Sequence, residues 1–305
     1  MQRRTTSLRT PSTASTDLAD SLTVAAVTRQ VDSATSLSSA RRKLKAARNL
    51  DQLRFIPHPY LAPDEIMLSI RKSRSYWRTF PFRDVTLDAF DGAVPWRRPQ
   101  YRHGQKNRPG LYWAVTEEAH VPYESLTEHL ALLRLDRDPD VVRILAQPFR
   151  LFVNERHGKS YVPDFFIVRD DLSVEVVEVK PLDKMNDPKT LATLNWAREI
   201  IEPHGWNYEL VNEPGQQLGY NLRFLAGYRR SQLLASELLA AVRANTYQPE
   251  FFGALEARMA ELTGTHAMFI RPHLLHLVWT GELTCDLNKP IDAGVVVSPR
   301  GRLEP

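Results

Sequence analysis

Two acidic residues and a lysine in the middle of the chain are spaced so that they can share one surface. Asp164 lies in the aromatic and β-branched stretch 161–168, and Glu178 and Lys180 lie at the end of a valine-rich stretch, Val174–Val179. Both stretches favour β-strands, and the polar residues between them favour a hairpin. Side chains alternate along a strand, so Glu178 and Lys180 share one face, and the hairpin can bring Asp164 beside them. Carboxylate oxygens suit Mg²⁺, and a neighbouring ammonium group can orient or help to deprotonate a metal-bound water.

The alternative interpretation is that these charges form an ordinary solvated surface, as a Glu-x-Lys pair on a strand commonly does. Two features favour a chemical role. The valines around Glu178 indicate a strand that is apolar on both faces, where charges are costly to bury. Pro163 restricts the backbone directly before Asp164 and fixes the direction of the carboxylate.

The length and composition of the chain exclude several classes of protein. Its 305 residues can hold two domains and a tail, and 43% hydrophobic residues are enough for a packed core. A single cysteine, Cys285, excludes an intramolecular disulfide framework and favours a reducing, cytoplasmic location. No apolar run approaches the roughly 18 residues of a membrane span, so no membrane association is expected.

The first 110 residues are predicted to form a tail and an arm. Residues 1–50 are predicted to be mostly disordered, and residues 1–37 are rich in Ser, Thr and Ala. Residues 38–50 fit either a basic helix that binds DNA or RNA, or a solvated, disordered basic tail. Residues 51–110 are predicted to be irregular, because they are rich in proline and interleave basic residues with aromatic ones. Such a segment can follow a phosphate backbone and stack on bases. The alternative is an ordered arm that packs its aromatic residues on the core, and a mixture is favoured, with aromatic residues inward and arginines toward DNA. The residues predicted to bind DNA are Arg71, Lys72, Arg74 and Arg78.

Residues 111–220 are predicted to form the catalytic core. Helix patterns at 124–135 and 187–203 and several strand patterns, including 207–212, predict a mixed sheet covered by helices. The first helix can supply a further carboxylate, because Glu124 and Glu128 lie four residues apart and face the same way. Glu128 also fits a capping box with Ser125, in which it would bond only to backbone, and periodicity does not separate these alternatives.

Two other parts of the chain have open alternatives. Gln147 is a secondary site candidate, since it can approach the metal site from its strand or only bond to a backbone group. Residues 221–305 show four helix patterns and then a ribbon pattern at 282–297, which predict a helical, winged-helix-like domain. The alternative for this domain is a helical cap that makes no contact with nucleic acid.

The hairpin resembles the signature of PD-(D/E)xK nucleases, which is present here as Pro163-Asp164 followed by Glu178-Val179-Lys180. Further motifs at matching spacing resemble the TnsA-like endonuclease subunit of heteromeric transposases over about residues 108–230. These motifs are Tyr123-Glu124-Ser125-x-x-Glu128, Asp136-x-Asp138-Pro139-x-Val141-Val142, Gln147-Pro148-Phe149, Pro163-Asp164-Phe165-Phe166 and Asn221-Leu222-Arg223-Phe224-Leu225-Ala226-Gly227-Tyr228. The basic residues Arg134 and Arg137 depart from this pattern, because apolar or acidic residues are expected in their segment.

The resemblance implies a fold and a set of site residues. The fold would be α/β, with a restriction-endonuclease-like core whose mixed central sheet is flanked by helices. The helix glutamate of the family's metal site would be Glu128, with Glu124 as the fallback. The catalytic residues would then be Glu128, Asp164, Glu178 and Lys180. The metal would be Mg²⁺, with Mn²⁺ as an alternative. Its ligands would be Glu128, Asp164, Glu178 and the carbonyl group of Val179.

The resemblance also implies a function. The protein would be an endonuclease that cleaves the 5′ strands of double-stranded DNA at transposon ends by attack of a metal-activated water. A DDE-type transposase subunit would cut and join the 3′ ends, and an AAA+ ATPase would regulate both. The protein would act in the cytoplasm of a prokaryote, at the nucleoid. Two alternatives stay open, namely a restriction-type or junction-resolving nuclease with the same core, and a non-catalytic DNA-binding transposition subunit.

Overall fold

Four β-sheets and six α-helices make up the part of the chain that the structure describes. The computed structural model describes residues 65–97, 107–153, 159–185 and 187–300. The predictions for residues 1–50 and for the beginning of the arm lie outside these residues. Among the described helices, none has the length and apolar character that crossing a membrane requires.

The strands and helices are numbered here in chain order. The strands are β1 (Ile66–Arg71), β2 (Trp77–Pro81), β3 (Gly110–Ala114), β4 (Ala119–Tyr123), β5 (Val141–Ala146), β6 (Phe149–Val153), β7 (Ser160–Tyr161), β8 (Phe165–Arg169), β9 (Val174–Val179), β10 (Asn207–Val211), β11 (Glu250–Phe251), β12 (Leu283–Thr284) and β13 (Val296–Pro299). The helices are α1 (Leu126–Arg137), α2 (Pro188–Ile201), α3 (Gln216–Leu225), α4 (Ser236–Asn245), α5 (Phe252–Thr263) and α6 (Ala267–Trp279).

A four-stranded mixed sheet carries the predicted catalytic hairpin. Its strand order is β10-β9-β8-β5, in which β10 runs parallel to β9 and the other pairs are antiparallel. Every residue of β9 is buried, as expected for a strand that is apolar on both faces. The structure thus confirms a mixed α/β protein with helices packed on sheets, while the restriction-endonuclease-like classification stays a prediction.

Two hydrophobic cores lie on the opposite faces of this sheet. Along β9, Val177 and Val179 belong to a core that includes residues of α1 and of the C-terminal helices. Val174 and Val176 belong to the other core, which includes residues of α2, β1 and β6. This assignment follows the alternation of side chains along a strand. Because both faces of β9 are covered, the charged residues near its end lie in a largely apolar environment.

The arm that was predicted to be irregular contains two strands. β1 pairs antiparallel with both β2 and β6, in a second sheet of order β2-β1-β6-β7. The prediction of irregular structure over residues 51–110 is therefore wrong for residues 66–71 and 77–81. The basic and aromatic composition concealed a short apolar run, and one of its two partner strands, β6, lies about 80 residues further along the chain.

The C-terminal region combines four helices with a small sheet. After β10 come α3 to α6, and a three-stranded sheet of order β11-β13-β12 closes the described chain. Helices followed by a ribbon agree with the predicted order of elements. The winged-helix-like classification of residues 221–305 stays a prediction.

A buried aspartate connects the β3–β4 hairpin to α1. The carboxylate of Asp136 accepts hydrogen bonds from the hydroxyl group of Tyr112 at 2.6 Å and from the backbone N–H groups of Val115 and Thr116 at 3.1 and 2.8 Å. Burial and the charge of Asp136 raise the pKa of Tyr112, so the phenol stays a donor. This aspartate of the family-like motif is therefore structural.

We expect Asp136→Ala to lower the free energy of unfolding by about 2–4 kcal/mol, because it leaves several donors without an acceptor. Asp140→Ala is the matched control, since Asp140 lies nearby in the chain and is exposed. The control should change the free energy by less than about 0.5 kcal/mol. Urea denaturation followed by circular dichroism measures both changes, and equal effects would contradict the structural role.

Candidate active site

Asp164, Glu178 and Lys180 lie together where β8 begins and β9 ends. The two strands pair antiparallel, so the residue before β8 lies opposite the end of β9. The side chains of Asp164 and Glu178 are only 7% and 5% exposed, whereas that of Lys180 is 27% exposed. The hairpin therefore brings together three charged groups that are separated by up to sixteen positions in the sequence.

The ammonium group of Lys180 contacts three oxygen atoms. It donates a hydrogen bond to Oε1 of Glu178, another to the carbonyl oxygen of Val179 at 3.2 Å, and lies 3.5 Å from Oδ2 of Asp164. These oxygens belong to three of the four residues that were predicted to hold a metal ion. One cationic group thus occupies the position toward which they converge.

Neutral donors fix the orientation of both carboxylates. Oδ2 of Asp164 accepts a hydrogen bond from the N–H group of Val179 at 2.9 Å. Oε2 of Glu178 accepts one from the hydroxyl group of Tyr161 at 2.7 Å. The sequence analysis missed the role of Tyr161, because only the positions of β7 and β9 in space show that its hydroxyl reaches the glutamate.

The site has one ammonium group for two carboxylates, so its positive charge does not balance the negative charge of both. Burial raises the pKa of Asp164. Burial, together with the charge of Asp164, raises the pKa of Glu178 to about 7, although Lys180 opposes this rise. Burial lowers the pKa of Lys180, but the two carboxylates outweigh it and the net shift is upward. The pair shares one ammonium group, so an additional cation would be stabilised here.

Glu128 forms the capping box that the sequence left as an alternative. Its Oε2 accepts a hydrogen bond from the N–H group of Glu124 at 2.7 Å, and its Oε1 accepts one from the hydroxyl group of Ser125 at 3.0 Å. In return, Oγ of Ser125 accepts from the N–H group of Glu128 at 3.1 Å. The glutamate therefore stabilises the start of α1.

Glu128 is nevertheless an electrostatic neighbour of the hairpin. Burial, and then the negative charge of Asp164, raise the pKa of Glu128 to about 7. Within the ranges described above, no group of three or more acidic, histidine or cysteine side chains could hold a metal ion. A metal ligand role for Glu128 stays a prediction, whereas Asp164, Glu178 and the Val179 carbonyl do converge.

Gln147 connects the site to the basic arm. Its side chain is buried. Its backbone N–H group donates to the backbone carbonyl oxygen of Asp164 at 2.9 Å, and its side-chain Oε1 accepts a hydrogen bond from the backbone N–H group of Arg97 at 3.1 Å. Its φ of 46° lies in the left-handed region, which costs energy for a residue other than glycine. Gln147 thus bonds to the backbone of the candidate site rather than extending into its oxygen cluster.

Arg97 is a candidate that the sequence analysis did not single out. Its guanidinium group lies 3.5 Å from Oε2 of Glu124, and its side chain is half exposed. Burial raises the pKa of Asp164, and the charge of Arg97 is among those that oppose this rise. Composition could not distinguish Arg97 from the other basic residues of the arm, because only the contact with Gln147 places it near the site.

Two of the predicted DNA-binding residues use their charged groups inside the fold. The guanidinium group of Arg71 donates to the carbonyl oxygens of Ser73, Arg74 and Trp96. The ammonium group of Lys72 donates to those of Ala89 and Asp91 at 2.6 and 2.5 Å. These contacts give Arg71 and Lys72 a structural role, which the sequence could not show.

The turn between β1 and β2 and the first two residues of β2 present the other two, and this segment, residues 73–78, is called the β1–β2 turn below. Arg74 and Arg78 are exposed, and so are the neighbouring aromatic rings of Tyr76 and Trp77, at 56% and 54%. A cleft of about 320 Å³ is lined by Arg71, Arg74 and Arg97 among others. Exposed basic and aromatic side chains suit a nucleic-acid backbone and its bases, so this turn is the candidate DNA-binding surface.

The comparison with known families agrees with this geometry. Residues 138–213 match the family model described as TnsA-like endonuclease N terminal. The matched segment contains Asp164, Glu178 and Lys180 but not Glu128. No curated protein matches the chain significantly. The family match supports the assignment to the TnsA-like family that the motifs implied, and it suggests an endonuclease subunit of a transposase.

The raised pKa of Glu178 predicts a specific dependence of stability on pH. A folded pKa of about 7 exceeds the ordinary value of 4.5, so the folded state binds more protons between these values. This glutamate should therefore lower the free energy of unfolding as the pH rises from about 5 to 7. Burial lowers the pKa of His129 and His276, and these shifts give a slope of opposite sign.

The measurement is therefore a difference between two variants. Urea denaturation of the wild type and of Glu178→Gln, from pH 5 to pH 8 in the presence of EDTA, isolates the contribution of the glutamate. The wild type should lose stability relative to Glu178→Gln as the pH rises through this window. Parallel curves would show that the carboxyl group has an ordinary pKa in the folded protein.

Proposed function

We propose that the chain is a Mg²⁺-dependent DNA endonuclease subunit of a heteromeric transposase, and that it cleaves the 5′ strands at transposon ends. The observation that carries the proposal is the convergence of three oxygen atoms, from Asp164, Glu178 and Val179, on one ammonium group. The family match covers this hairpin and supports the transposase context. In this proposal the core is restriction-endonuclease-like and the C-terminal region is winged-helix-like.

The residues present fit a hard divalent cation. All three converging atoms are oxygens, and two of them belong to buried carboxylates that share a single positive charge. Mg²⁺ prefers such ligands, and Mn²⁺ accepts them too. When bound, the ion would lower the pKa of a water and neutralise charge that develops on the phosphate. Asp164, Glu178 and the Val179 carbonyl would hold it, with Glu128 nearby.

The surrounding groups prepare the site for a phosphodiester. The N–H group of Val179 and the hydroxyl group of Tyr161 hold the carboxylates in fixed orientations, so little reorganisation is needed. The net rise in the pKa of Lys180 keeps its side chain protonated at neutral pH. In this proposal Lys180 serves as a positive charge that positions the water and stabilises the pentacoordinate phosphate.

The candidate DNA path leads from the β1–β2 turn toward the hairpin. Arg74 and Arg78 would bind phosphates, Tyr76 and Trp77 would contact bases, and Arg97 would guide the strand toward Asp164. On family grounds, the partners are a DDE-type transposase subunit and an AAA+ ATPase regulator. Cleavage of linear DNA without partners would instead favour a restriction-type or junction-resolving nuclease. Transposition that is unaffected by Asp164→Ala would favour a non-catalytic subunit.

Substitution of the lysine separates catalysis from metal binding. We expect Lys180→Ala to reduce cleavage by about a hundredfold or more, because it removes one positioned electrostatic group. Binding of Mg²⁺ and DNA should stay close to wild type, whereas Asp164→Ala should lose both metal binding and cleavage. Strand-specific nicking of an element-end duplex, with the partner transposase present, and calorimetry with Mg²⁺ measure these effects.

The control for this experiment is Lys289→Ala, which removes an exposed lysine from the C-terminal region. It should nick at the wild-type rate. A Lys180→Ala protein that also nicks at the wild-type rate would show that the lysine is only a surface partner of Glu178, and the catalytic assignment of the hairpin would fail.

Substitution of the exposed arginines tests the DNA path. Arg74→Gln combined with Arg78→Gln should weaken DNA binding and reduce the slope of log K against log salt by about 2, because each lost phosphate contact removes about 0.9. Fluorescence anisotropy at several salt concentrations measures this slope. The control pair is Lys189→Gln with Lys289→Gln, both exposed and outside this turn. Equal slopes for the two pairs would exclude the β1–β2 turn from the DNA interface.

A further inference from the structure

Three arginines line a cavity of about 360 Å³ that the proposed reaction does not use. Arg134 and Arg137 come from the last turn of α1, and Arg300 follows β13. Asp138, which also lines the cavity, pairs with Arg169 at the end of β8. The candidate active site lies at the start of β8, roughly 17 Å away along a strand of this length. The three-arginine cavity is therefore a separate place in the fold.

Two of the charges around this cavity are already compensated. The guanidinium group of Arg134 lies 2.7 Å from Oε1 of Glu209, and the carboxylate of Asp138 lies 3.0 Å from Arg169. Arg137 and Arg300 have no carboxylate within ion-pair distance among the described residues. Two positively charged side chains thus line one cavity without an ion-pair partner among the described residues.

Arg137 also has an unused donor. Its Nη2 donates a hydrogen bond to the carbonyl oxygen of Val278 at 2.9 Å, but its Nε is buried and has no hydrogen-bond partner among the described residues. Burial lowers the pKa of Arg137, and the charge of Arg300 acts in the same direction. A buried donor without an acceptor is unfavourable, but this Nε is too enclosed for an external acceptor to reach it unless the side chain shifts, so the case for a ligand rests on the two charges.

The partial negative charges at two helix C-termini offset only part of this positive charge. α1 ends at Arg137 and α6 ends beside Val278, and the carbonyl end of a helix carries about half a negative charge. Two helix ends therefore offset about one of the two uncompensated charges. They explain why arginines are tolerated here, but they leave a net positive charge and the unused Nε–H group.

We propose that the three-arginine cavity binds a phosphate group. Guanidinium groups match the geometry of phosphate and can donate pairs of hydrogen bonds to it, and a doubly charged anion would compensate both Arg137 and Arg300. The phosphate is either that of a DNA backbone beyond the cleavage point, a source that rests on the proposed function, or a free phosphate ion. Arg134 and Arg137 are also the two residues that depart from the family-like pattern of this segment.

Thermal unfolding of the full chain in inorganic phosphate tests the free-ion source. At constant ionic strength, phosphate should raise the Tm of the wild type in a saturating manner relative to chloride. Arg300→Gln should weaken this effect by tenfold or more, and because Arg300 is exposed this variant should fold. Arg137→Gln should act in the same way, and Lys289→Gln should leave the effect unchanged.

The DNA source is tested with a duplex that extends beyond the cleavage point. Here Arg300→Gln should reduce the salt slope of binding by about 1, while its cleavage of a minimal duplex stays at the wild-type rate. Phosphate stabilisation that persists in Asp164→Ala would show that this site exists even if the proposed nuclease activity fails. The proposal is overturned if Arg300→Gln weakens neither the stabilisation by phosphate nor the salt slope of DNA binding, because phosphate also stabilises folded proteins without a specific site.

Discussion

The interaction on which the site depends is the sharing of one ammonium group by two buried carboxylates. Asp164 and Glu178 lie where a hairpin buried on both faces reaches its end, so water cannot solvate their charges fully. Two buried negative charges near one another would ordinarily favour a proton on one of them. Lys180, the N–H group of Val179 and the hydroxyl group of Tyr161 reduce that tendency without removing it. The result is an anionic pocket that the rest of the fold holds in place.

The sequence predicted those parts of the structure that depend on local patterns. The alternation of side chains over residues 161–180 predicted that Asp164, Glu178 and Lys180 would meet, because strand alternation and hairpin pairing both act over short distances. The helix that begins at Leu126 and its capping box were also visible in the pattern around Ser125. For Glu128, however, local reasoning left two roles open, and the hydrogen bonds of its carboxylate show the cap.

The sequence could not predict the features that depend on distant contacts. Arg71 and Lys72 look like any other basic residues of the arm, and their carbonyl partners lie up to 25 positions away. The strands of the arm depend on β6, whose position no local pattern reveals. Arg97 and Tyr161 acquire their places near the site in the same way. Composition identified a basic surface, but only the packing of the chain separates the arginines that face solvent from those that hold the fold together.

The left-handed backbone at Gln147 lies between the segment that carries Arg97 and the residue that precedes β8, Asp164. Gln147 donates a hydrogen bond from its backbone N–H group to the carbonyl oxygen of Asp164, and its side chain accepts one from the backbone N–H group of Arg97. A left-handed conformation at such a residue costs about 1–3 kcal/mol and persists only while its neighbours enforce it. A displacement of the segment that carries Arg97 would therefore disturb the backbone at Asp164. Gln147 therefore couples the position of the arm at Arg97 to the position of the backbone at Asp164.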